Sequence, residues 1–375
     1  MRENSRTVHM VVYMIAVTAM LGMGTVYAQP ESSPGRHQPI VEELKTLLEV
    51  KPDLANALDE GIANAGIVGI LSRDEYYAFL DALVTWVPTE RDLVPKILKF
   101  YYVVDQAPED TLNQDEQFNQ WMVRFAQDWG SFLDTPESAQ EIEGFLSNPA
   151  YRIGDYFVGP SGWLTFNQFF AREVRPGKRP VAAPCDDSVV VSPADSIFMG
   201  HWPIDEQSEI EVKGIKWSIR ELLDGSPYQD AFKGGTYSHS FLYVNDYHRY
   251  HVPVGGVIKE VRNIQGKVYL DVIKKPDGSL YPVDGDTYQF AQERGLVVID
   301  SPVVGLVAIL PIGMAQVSSV NLTVESGATL TKGEEFGYFL FGGSDIVMLF
   351  QNPQLKFDAQ VGTHYLQGQQ IDRVE

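Results

Sequence analysis

An α+β fold is predicted for this chain of 375 residues, with a helical module followed by a β-rich domain. Three observations predict it. Helical periodicity and capping signals fill residues 41–150, whereas glycine, proline and short β-branched runs dominate 151–375. The charge divides at the same place: residues 41–150 hold 21 Asp/Glu against 7 Lys/Arg, so −14 of the formal net charge of −21 lies in the first part.

The elements follow in chain order. Arg2 and Arg6 precede an apolar run from Thr7 to Ala28 that ends in Val26-Tyr27-Ala28. A basic start, an apolar stretch and a small residue at the cleavage position make residues 1–28 read as a secretory signal. An uncleaved anchor is the alternative, because Met10 to Ala28 approaches spanning length. The chain is therefore expected to be exported, periplasmic or secreted, and membrane-anchored if the signal stays. Residues 29–40, with Pro30, Ser32, Ser33, Pro34 and Gly35, read as a flexible leader. Cys185 is the only cysteine and can form no internal disulfide, so stability falls on the core. A chain of this length with 44% hydrophobic residues can build one.

Within the helical module, Ser72-x-x-Glu75 reads as a capping box ahead of Tyr76, Phe79, Leu80 and Leu83. Thr135-Pro136-Glu137 places a cap residue before a proline at the first helical position. Phe118, Trp121, Met122, Phe125, Trp129 and Phe132 recur at helical spacing and read as a packing stripe. In the second part, Gly255–Val261, Lys267–Ile273, Gly295–Asp300 and Gly305–Pro311 read as strands, with Pro276-Asp277-Gly278 as a hairpin loop. No internal repeat or low-complexity tract interrupts the pattern.

The acidic balance excludes nucleic acid as a partner. It also disfavours anionic lipid surfaces, and no basic amphipathic helix is present to offset it. Excess acid can equally serve to keep an exported protein soluble, so membrane contact stays open.

The chemistry concentrates at Gly343-Ser344. A glycine leaves the carbonyl before the serine unshielded by any Cβ. A serine hydroxyl needs a base to become a nucleophile, and an oriented histidine is the usual one. His251, in Asp246-Tyr247-His248-Arg249-Tyr250-His251, is the candidate base and Asp195 its candidate orienter. His248 and His251 could also suggest a metal pair, but no third ligand stands at a sensible spacing, so no metal is predicted.

Six segments in order resemble the pyruvoyl-dependent phosphatidylserine decarboxylase family. They are Phe166-Asn167-Gln168-Phe169-Phe170-Ala171-Arg172 with Arg175-Pro176-Gly177-Lys178-Arg179-Pro180; Ser192-Pro193-Ala194-Asp195; Lys213-Gly214 with Trp217-Ser218-Ile219; Phe232-Lys233-Gly234-Gly235; the Asp246 to Pro253 segment; and Lys332-Gly333-Glu334-Glu335-Phe336-Gly337 ahead of Gly343-Ser344. The resemblance implies a self-processing triad of Asp195, His251 and Ser344 that cuts between Gly343 and Ser344. Fragments 29–343 and 344–375 would remain associated, and Ser344 would become a covalent pyruvoyl group. That ketone would act as the electron sink for decarboxylation of an amine-bearing substrate, without pyridoxal phosphate. His248 would return the proton, a task suited to a side chain that titrates near working pH.

The family prior implies phosphatidylserine as substrate and phosphatidylethanolamine and carbon dioxide as products. The helical module loosely resembles the branch with soluble decarboxylases of free aromatic amino acids, which makes an exported free amino-acid decarboxylase the alternative. Two positions depart from the family pattern: Asp345 replaces the usual hydroxyl residue after the cleavage serine, and Ser196 stands where glycine is normal. A carboxylate beside the scissile bond opposes a developing oxyanion unless it is turned away or protonated. A non-processing binding or scaffold relative is therefore the third reading. Arg172, Lys213 and Arg249 could meet a substrate carboxylate or phosphate.

Overall fold

The computed structural model describes residues 37–212, 215–268, 270–282, 288–314, 319–341 and 343–374. Residues 1–28, read as a signal, residues 29–36 of the segment read as leader, and Lys213 lie outside them. The first helix, Pro39–Val50, starts inside the segment read as leader. Pro39 favours that start, since its fixed φ suits the first turn and its missing N–H would have had no partner there.

Pro52–Ala65, Arg73–Val84, Leu93–Asp105 and Glu116–Phe132 are the other long helices. Ser72 caps the third of the five, its Oγ accepting the Glu75 N–H at 3.2 Å, while the Glu75 carboxylate reaches back to the Leu71 N–H at 2.6 Å. The return bond lands one residue earlier than a capping box requires. The aromatic stripe of Glu116–Phe132 is buried from Phe118 to Trp129, and Trp121 Nε1 donates to the Ile40 carbonyl at 2.8 Å. Thr135-Pro136 opens only a four-residue 3₁₀ turn, Pro136–Ala139. The Thr135 hydroxyl donates backward to the Phe132 carbonyl at 2.7 Å, so it caps no following N–H.

The β-rich part is built on an eight-stranded antiparallel sheet. Its order is Thr329–Leu330, Gly256–Ile264, Arg294–Ser301, Gly305–Met314, Gly343–Phe350, Thr236–Leu242, Ser196–Pro203 and His364–Tyr365. Three of the four expected strands are present; from 267–273 only the end survives, as Val272–Lys274. Lys267 makes a single bridge to Gln292 and its ammonium reaches the Asn113 carbonyl, while Asp105 takes the Val272 N–H. That segment is spent on crossing to the helices. The hairpin to Leu280–Pro282 turns at Pro276-Asp277-Gly278, with Gly278 at φ +84°, where only glycine sits without strain.

Strand alternation gives the sheet two different faces. Ile346, Met348, Phe350, Val307 and Ile309 join the cluster that also contains the helical core. Val347, Leu349, Ala308, Leu310 and Ile312 pack on Ile219, Leu222 and Phe232 on the other side. The compositional boundary near 150 is thus not a packing boundary. Phe341, just before the Gly-Ser pair, stacks edge-on against Trp129 at 5.5 Å and Phe166 at 5.2 Å, and Asn167 Nδ2 donates to Asp134 at 3.0 Å.

Candidate active site

Gly343 and Ser344 begin a central strand, with Ser344 opposite Gly313 on one side and Leu242 on the other. Ser344 is fully buried, and its Oγ has no hydrogen-bond partner. An unsatisfied buried hydroxyl costs about 1–3 kcal/mol. Such a cost is kept where the group has work to do, and an unencumbered hydroxyl on the residue that follows a glycine carbonyl is what a nucleophile requires.

Asp345 is buried too, but it points to the opposite face. It follows the register of Val347 and Leu349, whereas Ser344 follows that of Ile346 and Met348. Its carboxylate lies 3.2 Å from His239 Nε2 on the neighbouring strand. The like-charge objection to cleavage therefore weakens: the carboxylate is turned away from the serine and has a potential cation beside it. Asp345→Asn is expected to change the cleavage rate only a few-fold, measured by the appearance of the small fragment on a denaturing gel; a large acceleration would show that the carboxylate does reach the reacting bond.

His251 lies on the strand Arg249–His251, paired to Glu335–Phe339. Its Nδ1 is 2.8 Å from the Gly333 carbonyl and its Nε2 is 3.0 Å from the Tyr247 hydroxyl. A carbonyl only accepts, so Nδ1 carries the proton and the Nε2 lone pair receives the Tyr247 O–H. The tautomer a base needs is thereby set by Gly333. Burial pushes the His251 pKa down to about 4; Arg249 adds to this, while the Gly333 carbonyl and Asp195 oppose it.

Asp195 does not hold His251 as the sequence suggested. Its carboxylate takes two bonds from Arg179 Nε, at 2.8 and 3.1 Å, a 2.5 Å bond from Nη2, and the Gln367 N–H at 2.9 Å. Proximity is preserved through backbone instead: the His251 N–H donates to the Pro193 carbonyl at 2.8 Å. The physical reason is that a buried guanidinium competes for a buried carboxylate better than a neutral imidazole does.

Because His251 is neutral well below pH 7, cleavage should be independent of pH from about 5 to 8 and fall as pH approaches 4, if it serves as base. The stability consequence has a definite sign. Between about 4 and 6.5 the unfolded chain binds more protons at this site than the folded one, so stability drops as pH falls through that window, by up to about 3 kcal/mol. Acid unfolding of His251→Gln, compared with the parent chain, should lack this part of the slope.

His248 is fully buried, stacked on Phe170 with ring centroids 3.9 Å apart, and neither ring nitrogen has a hydrogen-bond partner. Burial first, and the Arg172 charge second, hold its pKa well below the ordinary value. The His248 carbonyl accepts the Phe339 N–H at 2.8 Å, tying this segment to the run that leads into Gly343. Arg172 is not a surface cation. It is 1% exposed, donates Nη2 to the Asn245 and Asp246 carbonyls at 2.6 and 2.8 Å, and lies 4.3 Å over the Tyr156 ring. Arg249 pairs with Glu335 at 2.8 Å.

Several contributors were not singled out from the sequence. Arg179, Tyr247 and Gly333 lie inside the quoted motifs, but nothing in their spacing tells which partner each takes. His364, from the segment after the serine, pairs with Asp246 at 2.8 Å; burial lowers its pKa, but Asp246 and Asp195 outweigh that and raise it. His364, Asp246, Asp195, Arg152, Asn245 and Tyr156 line a cavity of about 190 Å³. Among the described residues no group of three His, Cys, Asp or Glu is placed to hold a metal ion.

Fold and site define an α+β protein organised around a buried Gly-Ser peptide, with the uncharged His251 imidazole held in one tautomer by Gly333 and Tyr247 and making no hydrogen bond to Ser344. The chain belongs to the phosphatidylserine decarboxylase family, whose sequence model matches residues 166–373. It is similar to phosphatidylserine decarboxylase proenzyme 3 of Schizosaccharomyces pombe, 34% identical over 61% of this chain and 23% of that protein. It is similar also to the phosphatidylserine decarboxylase proenzyme of Fusobacterium nucleatum, 29% identical over 64% of this chain and 77% of that one. A third relative, decarboxylase iboD of Amanita muscaria, is 30% identical over 68% of this chain and 83% of its own length. The chain spans only about a quarter to two fifths of proenzyme 3 and of the Oryza sativa proenzyme 2, at 23% and 37% of their lengths.

Proposed function

We propose that this chain is an exported, self-processing, pyruvoyl-dependent carboxy-lyase that converts phosphatidylserine to phosphatidylethanolamine and carbon dioxide. The observation that carries this reading is the orphaned, buried Ser344 Oγ behind Gly343 in a member of this family. The sequence of residues 1–28 supports export.

Processing needs only the chain's own groups and one water. Ser344 Oγ attacks the Gly343 carbonyl carbon as its proton passes to His251 Nε2, for which the Tyr247 hydroxyl must first turn aside. The Gly343–Ser344 C–N bond breaks, an ester forms, and the proton moves on to the freed Ser344 amine. Loss of the Ser344 α-proton with expulsion of the ester oxygen leaves Gly343 as a carboxylate and residue 344 as dehydroalanine. Water then releases ammonia and leaves the ketone. A serine with no competing hydrogen bond fits such a precursor.

Once formed, the pyruvoyl ketone supplies the electron sink for loss of carbon dioxide. The resemblance gives His248 the return of a proton to the substrate carbon. Since burial holds its pKa well below the ordinary value, it would donate from a neutral ring N–H rather than titrate near working pH, and Arg172 holds the turn at Asn245-Asp246 that precedes it. The small fragment would stay in place after the cut. Residues 344–350 sit between two strands, His364–Tyr365 pairs with Ser196–Pro203, and Gln370–Val374 pairs with Val189–Val191. The two fragments are expected to co-elute on size exclusion and to separate only in denaturant.

Mass spectrometry tests the reading: residues 344–375 should appear as a fragment with a blocked, pyruvoyl start, and phosphatidylserine vesicles should release carbon dioxide. An intact chain would defeat it. A free amino acid is the second reading, from the looser resemblance of the helical module alone. The matches to a relative named simply a decarboxylase and to a phosphatidylserine decarboxylase proenzyme, at 68% and 64% of this chain, both reach into that module and do not separate the two. Carbon dioxide from free aromatic amino acids, with none from vesicles, would decide for that alternative.

A further inference from the structure

We infer that the loop 157–164 is a docking element that seats the mouth of the site on an anionic lipid bilayer. This rests on the lipid substrate proposed above and adds how the chain would reach it. Phe157, Leu164 and Val158 are 58%, 54% and 37% exposed, and Trp163 between them is only partly covered, by an edge contact to Phe169 at 5.3 Å. Three exposed apolar side chains and a partly covered tryptophan within eight residues are what a bilayer interface takes up.

The loop is held in shape. The Phe157 N–H donates to the Glu173 carbonyl at 2.8 Å, the Gly162 N–H to the Gly159 carbonyl at 3.0 Å, and the Leu164 N–H to Gln168 at 2.9 Å. It leaves directly from Tyr156, a wall of the 190 Å³ cavity that Asp195 and His364 also line. The apolar loop therefore begins at a wall of that cavity.

Charge names the occupant. Of the five Lys/Arg in residues 150–180, Arg172 and Arg179 are buried, while Arg152, Arg175 and Lys178 are exposed beside two Asp/Glu, in a chain whose net charge is −21. Both acids are engaged: Asp155 with Lys178 and Arg179, Glu173 with Arg249 at 3.5 Å. Arg152 and Arg175 are exposed and have no ion-pair partner among the described residues. Because charges farther than about 8 Å are largely screened at physiological salt, the exposed cations closest to the loop weigh most in its contacts. An apolar loop with exposed cations on the segments at both its ends, Arg152 before it and Arg175 after it, matches an anionic lipid surface.

Tryptophan emission of the full chain should be quenched by vesicles of brominated phosphatidylcholine containing phosphatidylglycerol. Phosphatidylglycerol has no amine to decarboxylate, so docking and turnover are read separately. Residues 1–36 hold no tryptophan, so the apolar leader cannot supply the signal. Most quenching should vanish in Trp163→Phe, and Phe157→Ser with Leu164→Ser should weaken vesicle binding at least about tenfold while the chain still folds and cleaves. Arg175→Ala should weaken binding at low salt more than at high salt. Quenching that is unchanged in Trp163→Phe, or equal on vesicles without anionic lipid, would overturn the inference. So would a concentration-dependent dimer abolished by the double serine variant, which would give the loop to a second copy.

Discussion

Ser344→Ala is expected to leave the polypeptide in one piece, with no ketone detectable by hydrazide labelling and no carbon dioxide release above background. Loss should be complete, because the same oxygen cuts the chain and, by leaving Cβ in the elimination, lets Cα become the electrophilic ketone. Against uncut chain that still carries the hydroxyl, stability should move the other way. The Oγ is buried with no partner, so its removal relieves a desolvation cost and is expected to be neutral or stabilising by about 1 kcal/mol. A melting temperature that is unchanged or raised, together with abolished cleavage, separates a chemical role from a structural one. A clear loss of stability would mean that the hydroxyl makes a bond in the folded chain that this geometry does not contain. Residual cleavage would mean that another nucleophile attacks Gly343.

How much could be read beforehand follows from the range of the interactions. The helices were legible because their signals are local: Ser72 finds its partner three residues on, and the Phe118–Trp129 stripe repeats within one helix. The site residues were legible as types, since a glycine, a serine, a carboxylate and two histidines can be recognised without coordinates. Their pairing was not. Gly333 lies 82 residues from His251, and Gln367 lies 172 from Asp195. No periodicity links such positions. Even so, the opposite orientation of Ser344 and Asp345 follows from strand alternation alone once the segment is known to be a strand. What was missing was that Gly343–Phe350 is central, with a core on each face, so that both side chains are buried and neither can turn.

Arg179→Met is expected to destabilise the fold by about 3–5 kcal/mol, because it strands the Asp195 carboxylate in a site where that residue is 2% exposed. The guanidinium itself is 3% exposed and binds Asp155 as well, so no water or alternative cation replaces it readily. Adding Asp195→Asn should recover most of the loss: the carboxamide oxygen can still accept the Gln367 N–H, and the unpaired charge is gone. Chemical denaturation of the two variants against the parent measures this. The folded double variant then isolates what Asp195 contributes to cleavage. In catalytic triads where the carboxylate alone fixes the histidine tautomer, an amide in its place costs about 10⁴ in rate. Here Gly333 fixes the tautomer, and Asp195 acts on His251 only as a nearby charge that favours the imidazolium. The expected slowing is therefore about 10- to 100-fold, measured as the half-time for appearance of the 344–375 fragment. A loss near 10⁴ would mean that Asp195 abandons Arg179 to bond His251 during the reaction, and no loss at all would reduce it to an anchor for the Gln367 segment.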